Sequence, residues 1–212
     1  MDNLANMSLN EIYNICNREP EHLINENGAS VIIYRNWLSP ETAKILYDVA
    51  FENCNIQHEI MLYGKKLIQP RFNVVYGENY VGKYKYSGAL LDVYEWLPEI
   101  RKLRDTIQNF TGFHADSCLI NGYANGLHNV GYHSDKEIMD PNKTVVTLST
   151  GATRKFYYQR IGDTTETIKT VLNEGDLLIM TGKTNDLFKH CVPKESKVKD
   201  ARYSYTFRQI VR

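Results

Sequence analysis

The sequence predicts a mainly β fold with flanking helices (α+β), arranged as a jelly roll, on three observations. From Cys118 onward, short apolar-rich runs follow in quick succession at 144–150, 154–160, 165–172, 177–181, 187–192 and 202–210, with turn residues between them. Helical periodicity is confined to two stretches, one after Ser39 and one after Pro98. The last run alternates strictly, with Tyr203, Tyr205 and Phe207 on one face and Arg202, Ser204, Thr206 and Arg208 on the other.

The chain has 212 residues, enough for one sizeable domain with its own core, and its 42% apolar content argues against a disordered chain. Lys+Arg and Asp+Glu both number 25, so there is no net charge. That balance weighs mildly against a nucleic-acid binder without excluding one, because local patches matter more than the sum. Cys16, Cys54, Cys118 and Cys191 form no C-x-x-C, which predicts free thiols in a reducing compartment rather than a disulfide framework or a zinc knuckle. No apolar stretch is long enough to span a bilayer and residues 1–10 are polar. The expectation is an intracellular protein of the nucleus or cytoplasm with no membrane partner.

Residues 1–30, rich in Asn and Glu with little periodic apolar signal, predict an arm wrapped on the surface or partly without fixed structure. Residues 31–34 predict a strand. Ser39-Pro40 opens a helix, Ser as its N-cap and Pro in its first turn, with Ala43, Leu46, Tyr47 and Ala50 as the face that packs on the barrel exterior. Residues 61–68 predict a hairpin with Gly64 at its tip. Its Tyr63 followed by Lys65 and Lys66 would suit a duplex, ring in the stack and lysines at phosphates, although a plain solvated hairpin has the same pattern. A second helix begins near Pro98, buries Ile100, Leu103, Ile107 and Phe110, and stops at Gly112. Residues 119–132 are extended, with Gly122, Gly126 and Gly131 arguing against a helix. Lys194, Lys197 and Lys199 mark a solvated loop.

His133-Ser134-Asp135 sets two metal-competent side chains two residues apart, which on a strand project from one face. A third ligand must come from far away in sequence, and His190 in the run 187–192 is the best candidate. Two His and one carboxylate form the facial triad of non-haem Fe(II) oxygenases, which leaves positions for a co-substrate and O₂. H-x-D alone is common, and a strand-end His bonded to its neighbour is the plain alternative. Arg202 and Arg208 add weight to the metal reading. If both faces of their strand are covered, two guanidiniums face a barrel interior and need anions. A small dicarboxylate beside the iron, 2-oxoglutarate, would pair one carboxylate with each. The alternative is a half-buried strand whose polar side meets water.

Taken in order, Asn121-x-Tyr123, His133-x-Asp135-x-Glu137, Leu148-Ser149-x-Gly151-x-x-Arg154-x-Phe156, His190 and Arg202-x-Ser204-x-Thr206-x-Arg208 resemble the AlkB family of Fe(II)/2-oxoglutarate-dependent dioxygenases. Upstream, Tyr63-Gly64-Lys65, Pro70-Arg71, Tyr76-Gly77 and Tyr84-x-Tyr86-Ser87-Gly88 are similar to the members that repair double-stranded DNA. The resemblance covers residues 55–212. It implies a double-stranded β-helix (jelly-roll) core at 99–212, a helix plus nucleotide-recognition lid at 31–98 and the arm at 1–30, in one structural domain and a monomer.

The same resemblance implies Fe(II) on His133, Asp135 and His190. Arg202, with Tyr123 and Ser204, would take the distal carboxylate of 2-oxoglutarate, Arg208 with Asn121 the end near the metal, and Thr206 would belong to the same co-substrate site. Tyr86 would stack on an extruded base opposite the ring of the metal-bound His, with a cation–π contribution from the charged lesion. Tyr84 would bond the base edge, Glu137 would accept from the exocyclic amine, and Tyr63 would fill the gap left in the duplex. Lys65, Arg71 and Ser87 fall in the same substrate-facing motifs. The implied reaction is oxidative demethylation of N-alkylated bases in DNA, duplex by preference and of the 1-methyladenine or 3-methylcytosine type, releasing formaldehyde, succinate and CO₂.

Ser134 and Lys136 flank the carboxylate where some duplex-preferring members carry Arg and Asp, and Ser204 stands where others have Asn. Rival readings are the same chemistry on RNA, on N6-methyladenine or on a protein side chain, and a zinc hydrolase, which leaves Arg202 and Arg208 unexplained. A non-catalytic nucleic-acid-binding module is a further rival, opposed by the intact iron and co-substrate residues.

Overall fold

The structure, a computed structural model, describes residues 19–62, 65–86 and 89–210. A hairpin of β1 (Glu21–Glu26) and β2 (Ala29–Tyr34) is followed by helix α1 (Pro40–Asn53). A second hairpin, β3 (Glu59–Leu62) and β4 (Lys65–Ile68), leads to β5 (Phe72–Gly77), a 3-10 turn (Asn79–Val81), β6 (Lys83–Tyr86) and β7 (Ala89–Glu95). Helix α2 (Pro98–Thr111) precedes β8 (Ser117–Tyr123), β9 (Val130–His133), β10 (Val145–Gly151), β11 (Arg154–Arg160), β12 (Ile168–Leu172) and β13 (Leu177–Gly182). The one-turn α3 (Thr184–Leu187) joins β13 to β14 (Phe188–Val192), and β15 (Arg202–Arg208) follows.

Two sheets face each other. The larger has nine strands in the order β1-β2-β13-β10-β15-β8-β5-β7-β6, and the smaller has four in the order β12-β11-β14-β9. Each face of the large sheet has its own core. Outside, Leu46 and Ala50 of α1 and Ile100, Leu103 and Ile107 of α2 pack on Val146, Leu148, Tyr203, Tyr205 and Phe207. Inside, Val31, Ile33, Val145, Leu178 and Met180 meet Phe156, Tyr158, Phe188 and Val192 of the small sheet. Both helices begin as their sequences predict: the Ser39 Oγ caps α1 by accepting from Thr42 N (3.2 Å), and Gly112 ends α2 at φ +73°.

The crossing between sheets after β10 depends on Gly151, whose φ is +79° and whose missing Cβ would lie 2.4 Å from the Ala201 carbonyl oxygen. A clasp joins the two sheets near β2. Arg35 donates to Asp176 Oδ2 (2.6 Å), to the Val171 carbonyl (2.7 Å) and to Thr170 Oγ1 (3.0 Å), and Asp176 also accepts from the backbone of Asn36 and Asn173.

One expectation is corrected. Residues 21–30 are not an arm: β1 and the first two residues of β2 lie there, and they extend the large sheet at one edge. An edge strand exposes most of its side chains, so Glu21–Glu26 carries little apolar signal. The available cue was Asn27-Gly28, which takes φ +52° and +81° at the hairpin turn. The lid and core are also less separate than the expected boundary at 98/99 suggests, because β5 is hydrogen-bonded to β8 within one sheet. Among the described residues no helix is long and apolar enough to cross a membrane.

Candidate active site

The pairing of β9 with β14 sets His133 opposite His190, their ring centroids 4.3 Å apart. Asp135 follows just past the end of β9, and its backbone N–H donates to Asn185 Oδ1 on α3 (3.0 Å). Asp135 Oδ1 lies 3.9 Å from His133 Nε2, and Oδ2 lies 3.9 Å from His190 Nε2. One ligand atom from each of the three residues lies within 4.8 Å of the others.

The His133 Nδ1 faces the Gly131 carbonyl at 2.9 Å, and a carbonyl can only accept. Nδ1 therefore carries the proton and Nε2 the lone pair a metal needs. His190 is held by stacking on Phe156 (5.4 Å between centroids, 15° between planes). Burial keeps both imidazoles neutral. It lowers His133, and it pushes His190 down to about 3, with the neighbouring His133 adding to the effect against the pull of Asp135. Burial opposes the charge of Asp135 too, but Arg208, His190 and His133 outweigh it and hold the carboxyl at about 2. Arg208 Nη2 occupies Oδ1 at 2.9 Å, while the buried Oδ2 has no hydrogen-bond partner. Two neutral imidazoles and an ionised carboxylate with one unmet oxygen suit Fe(II).

The second half of the site comes from β15, which lies between β10 and β8. All seven of its residues are buried, so the polar side faces the interior and not water. Arg202 is 1% exposed. Its Nη2 donates to Ser149 Oγ at 2.8 Å, while Nε and Nη1 have no partner among the described residues. Burial brings its pKa down to about 10, with Tyr123 pulling the other way. A buried guanidinium with two unmet donors fits a carboxylate, and hence one end of 2-oxoglutarate. Tyr123 packs beneath two guanidiniums, with Arg202 5.4 Å and Arg154 5.5 Å from its ring centroid. Arg154 in turn fastens the flanking loops, donating to Glu195 Oε2 and to the carbonyls of His128 and Pro193.

The structure gathers Asn121, Tyr123, His133, Asp135, His190, Arg202, Ser204, Thr206 and Arg208 around one cavity between the sheets. The expected base-side residues are placed less uniformly. Arg71 is buried and donates to Asn121 Oδ1. Glu137 is half-buried, its Oε2 accepting from Lys136 N, and Lys65 is exposed on β4. Tyr84 is packed among Val75, Leu91 and Leu119 and is only 1% exposed. The backbone of Tyr86 ends β6, whereas Tyr63 and Ser87 lie outside the described residues.

Ser149, Phe156, Asn73 and Asn185 also belong to the site or its support without a role expected from sequence. Ser149 was within reach of the alternation Val145, Thr147, Ser149 on a buried strand. Asn185 sits in a one-turn helix, where no periodicity marks it.

A family model described as 2OG-Fe(II) oxygenase superfamily matches residues 30–208. A Mus musculus protein named DNA oxidative demethylase ALKBH2 is 30% identical over 161 residues, 72% of this chain and 67% of that protein. The Homo sapiens protein named alpha-ketoglutarate-dependent dioxygenase alkB homolog 3 is 36% identical over 152 residues, 67% of this chain and 52% of that protein. The chain thus spans between about half and two thirds of the length of these relatives. A solved structure of OsALKBH1 superposes with a TM-score of 0.64 over 89% of this chain and 100% of that one at 20% identity, which speaks for the jelly-roll fold alone. With the family match covering the small sheet, all of the large sheet except its edge at β1 and the first residue of β2, and the site between the sheets, the chain belongs to the 2OG-Fe(II) oxygenase superfamily, as a member of its AlkB family.

Proposed function

We propose that this protein is an Fe(II)/2-oxoglutarate dioxygenase that removes alkyl groups from N-alkylated bases in DNA. One observation carries the reading: the orphaned Asp135 Oδ2 and the orphaned Nε and Nη1 of Arg202 belong to residues that line the same cavity. One calls for a cation and the other for an anion, as a metal with a bound dicarboxylate supplies.

His133, Asp135 and His190 would hold the metal. Arg202, Tyr123 and Ser204 would hold the distal carboxylate, Asn121 and Arg208 the end near the metal, and Thr206 would line the co-substrate site with them. Arg208 would have a second role, since its bond occupies Asp135 Oδ1 and leaves Oδ2 unmet and available to a cation. When bound, Fe(II) with 2-oxoglutarate and O₂ supplies the oxidation that turns an N-methyl group into a hydroxymethyl, which leaves as formaldehyde while succinate and CO₂ form. The protein's own part is to orient the methyl group and keep the imidazoles neutral.

DNA as substrate is supported by the relatives named DNA oxidative demethylase. A base of the 1-methyladenine or 3-methylcytosine type would meet Tyr86 and Glu137, with Tyr63, Lys65 and Ser87 on the strand around it, while the expected contacts of Tyr84 and Arg71 are replaced by roles in packing and in holding Asn121. Cys54, Cys118 and Cys191 are free thiols, in keeping with a reducing compartment such as the nucleus or cytoplasm. The test is incubation of the protein with methylated single- and double-stranded DNA and RNA, Fe(II) and 2-oxoglutarate. Formaldehyde release that needs both Fe(II) and 2-oxoglutarate, and is greatest on DNA, is expected. Release from RNA alone would replace the substrate, and no release from any nucleic acid would overturn the reading.

A further inference from the structure

We propose that Asn73, together with Arg71, is a positioning residue that fixes which way the Asn121 amide faces and so presents its N–H to the co-substrate. The inference rests on the reading above, in which the Asn121 side chain meets 2-oxoglutarate.

The geometry is a row across three strands. Asn73 on β5 lies opposite Asn121 on β8, which lies opposite Ser204 on β15. Asn121 Oδ1 receives two donors, Arg71 Nε at 3.2 Å and Asn73 Nδ2 at 2.7 Å. All three side chains are buried, at 4%, 1% and 6% exposure for Arg71, Asn73 and Asn121.

An amide's oxygen and nitrogen are easily exchanged by a half-turn of the group, so something has to select one orientation. A guanidinium has donors and no acceptor, so the Asn121 atom facing Arg71 must be the oxygen. The Asn73 atom facing that oxygen must then be its nitrogen. Both lone pairs of Asn121 Oδ1 are thereby engaged. Its Nδ2 meets no acceptor among the described residues, although Asn121 lines the cavity. A carboxylate there would be met by N–H; with the amide reversed it would be met by a second oxygen.

A second observation points the same way. Asn73 Oδ1 is buried without a hydrogen-bond partner. A residue placed for its own stability would satisfy both ends of its amide. Asn73 satisfies the end that holds Asn121 and leaves the other unmet, which is expected if its task is orientation.

Asn73→Asp is nearly isosteric but removes the donor. A carboxylate facing Asn121 would accept from Nδ2 and turn Oδ1 toward the co-substrate. Asn73→Leu removes the donor without inverting the preference, because Arg71 remains. The experiment loads the full chain with redox-inert Mn(II), titrates 2-oxoglutarate by calorimetry, and records melting with metal alone. Asn73→Asp is expected to raise the 2-oxoglutarate Kd about tenfold or more, on the scale of one charge-assisted hydrogen bond, and Asn73→Leu by less. Mn(II) affinity is expected to be unchanged. In turnover, KM for 2-oxoglutarate should rise while kcat at saturation changes little.

A folded Asn73→Asp that binds 2-oxoglutarate within twofold of wild type overturns the proposal. If that variant does not fold, Asn73→Leu decides by the same criterion. A parallel loss of Mn(II) binding would mark a general structural role and overturn it as well. Arg202→Ala serves as the control for the underlying reading: if wild-type binding is absent or does not depend on Arg202, the co-substrate site itself is wrong, and the inference falls with it.

Discussion

Replacing Arg202 by Met should do two things of opposite sign. The side chain is 1% exposed, donates once to Ser149, and leaves Nε and Nη1 without partners among the described residues. Each unmet buried donor costs about 1–3 kcal/mol, and Met fills similar space without either. Loss of the contact with Tyr123 takes back about 1–2 kcal/mol. The variant without co-substrate should therefore be as stable as wild type or more so, rising by about 2–4 °C for each kcal/mol gained in a domain of this size. The effect on 2-oxoglutarate is the reverse. Two charge-assisted bonds at about 1.5–3 kcal/mol each amount to roughly a hundredfold to ten-thousandfold in Kd. The assay is thermal melting of Mn(II)-loaded wild type and Arg202→Met, with and without saturating 2-oxoglutarate. Wild type should gain from the ligand by linkage and the variant should not. A variant that melts well below wild type without ligand, yet gains the same ligand-induced shift, would refute the reasoning.

Four further outcomes are expected. Asp135→Asn should abolish metal binding measured by calorimetry while the fold remains, because an amide lacks the charge and offers Arg208 a weaker partner. Lowering the pH should weaken the apo-protein below about 6.5, where unfolded histidines take protons that buried His133, its pKa lowered, resists and that His190 refuses down to about 3. The contribution of Asp135 should vanish later, as pH falls from 3.8 toward about 2, and melting of wild type against His190→Ala across this window reads the histidine part. Tyr63→Ala should reduce turnover on methylated duplex DNA about tenfold or more but leave the matched single strand nearly unaffected, since only a duplex has a hole for the ring to fill; equal losses on both would remove the finger role. Asp176→Ala should cost about 1–3 kcal/mol in denaturant unfolding, because Arg35 keeps Glu21 but the backbone N–H groups of Asn36 and Asn173 lose their acceptor, and a loss under about 0.5 kcal/mol, that of a neutral surface change, would show the clasp to be dispensable.

The sequence by itself determined what depends on local order. Strict alternation in 202–208 separates Tyr203, Tyr205 and Phe207, which pack under the helices, from the four polar residues that line the cavity. Ser39-Pro40 and Gly112 mark helix ends because capping and a left-handed residue act over a few neighbours. The two-residue spacing of His133 and Asp135 pointed to a shared site, although β9 ends at His133 and Asp135 lies just beyond it. The motifs in order also carried the family resemblance.

Only the tertiary structure decided which distant groups meet. That both sides of β15 are covered follows from closure of the small sheet over it. The same closure sets Arg208 against Asp135, so a guanidinium expected for the co-substrate alone also orients the metal carboxylate. Arg71 turns inward to Asn121, and Asn185 reaches Asp135 from a helix with no signal of its own. β1 joins the large sheet although most of its side chains are exposed, because an edge strand is held by backbone hydrogen bonds that any side chain permits. The physical reason is common to all of these. Periodicity records which way a side chain points relative to its own strand, whereas its partner is set by strand order and register, which are properties of the closed sandwich.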